Sequence, residues 1–159
     1  MKHTIYLFAM LYSLANMSSA ISPVTGFVEG NYAGEGTWLD QNSNRGKFSA
    51  FVVMRSNGWT LARFELNDLH IYKSTLTIDA NGFLSAEMLD ETDPQHPIYY
   101  PGYGHCGSNY CQMTIYLYNA KLWKKLSFNP DKTISALGLI YYDDGSPNVQ
   151  WEATIAPVP

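Results

Sequence analysis

What the chain lacks narrows its class before any motif is read. Past residue 20 it has no apolar run approaching the ~20 residues that a membrane-spanning helix requires. It has no basic excess: 10 Lys and Arg stand against 14 Asp and Glu, a net charge of −4. Nucleic-acid binding calls for basic patches that offset phosphate charge. The nearest approach is Lys121, Lys124 and Lys125, so no nucleic-acid partner is expected. Cysteine is down to two residues, Cys106 and Cys111. A domain of this size removes about two-thirds of its unfolded surface from water, so a disulfide is helpful rather than obligatory. Internal repeats, low-complexity tracts and linkers are missing, which leaves one domain.

Catalytic signatures are missing as well. There is no G-x-S-x-G, no H-E-x-x-H and no P-loop. The histidines past the N-terminal stretch are His70, His96 and His105. His70 falls in a strand region, and the other two fall in a loop. Asp90, Glu91 and Asp93 cluster, but without the alternation and glycine of a calcium loop. Glu35 and Asp40 are carboxylates of the kind a glycosidase pairs, and spacing alone does not pair them. The expectation is a protein that is not an enzyme, with no catalytic residue and no cofactor to name.

The first twenty residues read as an address. "MKHTIYLFAMLYSLANMSSA" opens with Lys2 and His3, runs apolar from Ile5 to about Ala15, and ends in small residues. That is the layout of a secretory signal peptide cleaved after Ala20. Residues 21–159 are then a single domain, secreted or periplasmic, without a membrane span. Loss of Lys2 makes its net charge one unit more negative.

The rest of the chain shows short β-rich runs punctuated by turn residues, and poor helical periodicity. The first run spans Val28 to Asp40. Tyr32, Gly34, Gly36 and Trp38 share one face and Asn31, Ala33, Glu35 and Thr37 the other. "KFSAFVVM" follows, with Phe48, Ala50, Val52 and Met54 on one side. Asn57-Gly58, Asn81-Gly82 and Asp144-Gly145 are turn signals. The pattern predicts an all-β fold: an antiparallel up-and-down barrel of about eight or nine strands. Two glycines inside the first strand fit a bend at a barrel corner.

Gly36-Thr37-Trp38 is similar to the G-x-W signature in the first strand of lipocalins and related calycins. The closing "WEATI" resembles the last strand of such a barrel, packed beside the first. The resemblance extends to strand count and order over residues 28–156. It implies a calycin-like barrel in which the tryptophan plugs one end, and many small secreted bacterial proteins share this look.

Between the fifth and sixth expected strands lies "DETDPQHPIYYPGYGHCGSNY". In an exported protein Cys106 and Cys111 are expected to pair, closing a short loop. A zinc site from His96, His105, Cys106 and Cys111 matches no standard spacing, and a redox pair wants C-x-x-C, so no metal is expected. Pro94, Pro97, Tyr99, Tyr100, Pro101 and Tyr103 make this segment a candidate lid or contact surface.

Two functions follow. The first is a carrier holding a small apolar or amphipathic molecule, lined by Tyr32, Trp38, Phe48, Val52, Phe64, Met113, Ile115, Tyr116 and Trp151. Its mouth would lie near residues 90–110. The second is a non-catalytic envelope or secreted interaction protein. There Tyr99, Tyr100 and Tyr103 on a 93–110 loop meet a protein or glycan. A cavity favours the first, and a filled barrel with exposed tyrosines favours the second.

Overall fold

The computed structural model describes residues 28–55, 58–66 and 70–159. The expected signal peptide, residues 1–20, and the Asn57 half of the first hairpin signal lie outside the described residues. The described chain is all β. Its strands are β1 (Gly30–Asp40), β2 (Arg45–Arg55), β3 (Gly58–Leu66), β4 (His70–Ile78), β5 (Phe83–Asp90), β6 (Ile98–Cys106), β7 (Tyr110–Tyr116), β8 (Ala120–Phe128), β9 (Ile134–Tyr142) and β10 (Val149–Val158). Each strand pairs antiparallel with the next, and β1 pairs with β10 to close the barrel. Closure leaves no free sheet edge.

The strand count is ten, not eight or nine. The additional strand is β6, which runs through the segment expected to be a long loop. Only residues 91–97 remain as loop there. Proline and glycine hid the strand, and the pairing shows why they are tolerated. The β6–β7 ladder begins at Gly102, opposite Ile115. Pro101, opposite Glu87 of β5, therefore stands on the half of β6 not paired to β7. A proline with no ladder bond to donate on that side removes nothing.

Alternation decides what the barrel holds. On β5, Leu84, Ala86 and Met88 are buried while Phe83, Ser85 and Glu87 are exposed. The charged residues Glu35, Lys47, Lys73, Glu87, Lys121 and Glu152 are exposed on the outside. Inside, one end is solid. Tyr32, Met54, Trp59, Leu84, Phe128 and the cysteine pair form one buried cluster there. Met54, Leu84 and Phe128 each contribute about 1.5–3 kcal/mol on full burial. The Tyr32 hydroxyl donates to the Val28 carbonyl (3.0 Å), so burying the phenol leaves no unmet donor.

The glycines of β1 do not mark a bulge. The β1 ladder runs from Asn31 to Asp40 against β10 without a shift, and from Gly30 to Leu39 against β2. Gly34 and Gly36 instead permit close approach. A Cβ on Gly34 would stand 2.8 Å from the Ile155 Cα. A Cβ on Gly36 would strike the Phe48 ring. The bulge of this barrel lies on β3 at Ala62, where Phe51 pairs with Arg63 but Val52 with Leu61.

Cys106 and Cys111 form a disulfide. They are also a register pair at the end of the β6–β7 ladder. The bond staples a hairpin at the solid end of the barrel, opposite the 91–97 loop. Replacing both by alanine is expected to cost about 2 kcal/mol from loop entropy, measured as a lower urea midpoint with the slope unchanged.

Candidate functional site

The solid end gives way to a cavity of about 380 Å³. Its wall is mainly apolar: Phe48, Val52, Met54, Leu76, Met88, Met113, Leu126 and Ile134 are among the lining side chains. Toward the other end the lining passes to Tyr72, Leu117, Tyr142 and Val149. Tyr142 is solvent-exposed as well as lining, which places the entrance at the end of the barrel where β9 finishes and β10 begins.

Phenols gather at this end. Burial, and then the charge of Asp90, push the Tyr72 hydroxyl up to about 12, with smaller contributions from Tyr142 and Tyr100. Burial also raises Tyr100 and Tyr142, each with help from an aspartate, Asp90 and Asp144 respectively. All three are neutral hydroxyls at physiological pH, able to donate or accept.

One band of the wall carries the tryptophans and the charge. Register places Gly46, Trp38, Trp151, Gly138, Lys124 and Met113 side by side across β2, β1, β10, β9, β8 and β7. The two glycines seat the two indoles. The Trp38 ring covers Gly46, its Nε1 lying 2.5 Å from where a Cβ would stand, and the Trp151 ring covers Gly138. Trp151 meets Phe48 edge to face at 5.7 Å. Trp38 thus faces the cavity rather than only capping the barrel.

Lys124 lines the same cavity. Its side chain is half-buried. The surrounding apolar wall nevertheless pulls its pKa down to about 8. No other charged side chain is among the described lining residues, and none of the described residues pairs with it. Two further polar atoms at the wall are buried without a partner, the Ser74 Oγ and the Trp38 Nε1.

Of the lining residues expected from the sequence, Trp38, Phe48, Val52, Met113 and Trp151 stand on this wall. Tyr32 belongs to the solid end. Ile115 is buried beside Met88 and Leu122, without reaching the cavity surface. Tyr116 is on the outer face and 46% exposed; adjacent strand residues point to opposite sides, so it cannot share a wall with Ile115. Phe64 pairs with Ala50 in register, and its side chain lies outside the described residues. The three tyrosines expected on a contact loop stand on β6 instead, and they divide. Tyr99 and Tyr103 point outward, 58% and 52% exposed, and Tyr103 stacks on Phe83. Tyr100 points inward against the Met88 cluster.

The described carboxylates form no cluster. Glu35 is on the outer face of β1. Asp40 sits at its end, held below the usual carboxylate range by hydrogen bonds from Asn44. Asp90 accepts from Thr92 and Asp93 pairs with His96. The cysteines are consumed by their disulfide, so a zinc set of His96, His105, Cys106 and Cys111 has no thiolates.

Lys124 is a site residue not expected from the sequence, where it stands with Lys121 and Lys125 as the nearest approach to a basic patch. The signal was present in alternation. Leu122, Leu126 and Phe128 occupy every second position around it, and Lys124 falls in phase with them. No protein-family model and no curated protein matches the chain.

Proposed function

We propose that this chain is an exported carrier of calycin type, holding one small apolar or amphipathic molecule inside its barrel. The observation that supports this most is the 380 Å³ cavity with an apolar wall and few polar groups. Ligand sites have this character, and this one is at the small end of their usual range of about 300–1,000 Å³. A disulfide at the solid end suits an oxidising compartment. With apolar residues inside and charges outside, the wall has the opposite sidedness to a membrane-spanning barrel, whose lumen is polar. Holding the molecule requires no chemistry from the wall, so the reading is non-catalytic.

Native mass spectrometry of the exported protein tests it. The expected result is a complex that releases a small molecule on denaturation, or a bare protein that takes up a neutral hydrophobic dye stoichiometrically. A bare protein that takes up no dye would refute the reading. A second function is supported by Phe83, Tyr99 and Tyr103, whose exposed rings form an outer stripe on β5 and β6. If this stripe is a contact surface for a protein or glycan, Tyr99→Ala with Tyr103→Ala abolishes that contact and leaves dye uptake unchanged.

A further inference from the structure

The carrier reading is assumed here and made chemically specific. We propose that the molecule held in the barrel is a single-chain amphiphile with a carboxylate head, and that Lys124 is the residue that receives the carboxylate. The cavity wall presents one cation and no anion among its described residues. That cation has no ion-pair or hydrogen-bond partner among them. An unpaired charge in an apolar setting is costly, and a ligand that brings the opposite charge removes the cost. A neutral ligand of the same shape leaves it in place or worsens it by displacing water from the ammonium.

The other polar side chains on the described wall, Ser74, Trp38, Tyr72 and Tyr142 among them, can all donate. The Ser74 hydroxyl and the Trp38 indole N–H are buried, unpartnered and able to donate. A head group rich in acceptors matches donors, and a cationic head finds no carboxylate to meet it. One lysine balances one negative charge, which fits a monocarboxylate better than a phosphate dianion. Lys124 stays protonated at pH 7, because burial brings its pKa no lower than about 8.

Size and position are consistent with a medium chain. A volume of 380 Å³ holds roughly a dozen groups the size of a water molecule at ≈ 30 Å³ each. Lys124 stands halfway along β8, with Leu122 toward the entrance and Leu126 toward the solid end. The head is therefore held at mid-barrel, and the chain runs along the apolar wall.

Decanoate and decanol, which differ at the head alone, make the test. The full chain without its signal peptide is titrated with each at pH 7, by calorimetry and by displacement of a neutral dye. Decanoate is expected to bind at least tenfold more tightly than decanol. Lys124→Met and Lys124→Gln are both expected to erase that preference while still binding decanol. Two variants are used so that a folding defect in one does not decide the matter. Decanoate affinity should also fall as pH rises from 8 to 10, while decanol affinity holds or rises. Among the described lining residues the other titratable side chains are Tyr72 on β4 and Tyr142, further along the neighbouring strand β9. Both have raised values, so the phenols remain neutral over most of that range. The flanking strands β7 and β9 present Met113 and Gly138 to it. If decanol binds wild type as well as decanoate does, or if Lys124→Met keeps the preference, the carboxylate assignment is overturned and the apolar carrier survives. If decanoate, decanol and dye all fail to bind, both are overturned.

Discussion

Replacing Lys124 by methionine is expected to stabilise the empty protein at pH 7 by on the order of 3 kcal/mol, since each pKa unit of depression corresponds to about 1.36 kcal/mol. The folded value is about 8 against an ordinary 10.5. The sign follows from proton counting. Between pH 8 and 10.5 the unfolded chain binds a proton at this lysine that the folded chain has released. Stability therefore rises with pH across that window. Below pH 8 both states are protonated and the folded protein carries the full cost of a desolvated ammonium. Wild type should gain stability from pH 8 toward 10, while Lys124→Met stays flat. Above about pH 10 both proteins should lose stability, because Tyr72 keeps its proton up to about 12 when folded and loses it earlier when unfolded. Urea titrations of both proteins at pH 7, 9 and 10 measure the difference. A wild-type curve that is flat from pH 8 to 10, with a methionine variant no more stable, would show that water in the cavity solvates the ammonium well.

This cost is informative about function. Methionine matches the lysine stem in shape and removes the charge, and replacing buried charges by apolar groups often stabilises a fold. A residue that weakens the empty barrel and strengthens a complex with an anion is the signature of a binding site rather than of a core. An anionic ligand would then stabilise wild type more than the methionine variant at equal concentration, because neutralising the ammonium lowers the Kd through which mass action works.

Alternation made most of this barrel legible in its sequence, and breaks in alternation account for the rest. The inner face of β2, Phe48, Ala50, Val52 and Met54, could be read directly because small and large apolar residues recur at every second position. The inner face of β6 could not. Its inward residues are Tyr100, Gly102, Gly104 and Cys106, a sequence without apolar periodicity and interrupted by Pro101. What defines β6 as a strand is pairing with β5, from Phe83 opposite His105 to Asp90 opposite Ile98, and pairing partners are remote in sequence. Composition groups Ile115 with Tyr116, where their phase separates them. Charge groups Lys124 with Lys121 and Lys125, where its phase places it inside. In both cases the period of two outranks the character of the residue. The presence of a cavity is a different matter. Ten strands make a wider barrel than eight, and whether side chains fill it depends on volumes across the barrel, such as Ala50, Ala136 and Ala153 on the wall, that no local pattern encodes.

The β1–β10 seam is the part of the wall least able to tolerate added volume. Gly34→Ala is expected to destabilise the protein by about 3 kcal/mol or more, the upper end of the usual overpacking cost. The register places Gly34 opposite Ile155 on β10 and Ala50 on β2. A new Cβ would stand 2.8 Å from both the Ile155 Cα and the Ile155 Cγ2, and against the Thr154 carbonyl oxygen. Two of these three atoms are backbone, so no rotamer change relieves the contact, and the strands must part. Parting them breaks the ladder that closes the barrel and separates Trp38 on β1 from Trp151 on β10, so dye uptake should fall with stability. Ala33→Val is the control, on the opposite face of the same strand. It adds more volume at a position that points outward, and should change stability by no more than about 0.5 kcal/mol. Urea midpoints for the two variants give the comparison. If Gly34→Ala matches the control, then β1 does not lie against β10 in this register, and the closed barrel on which the cavity depends is wrong at its seam.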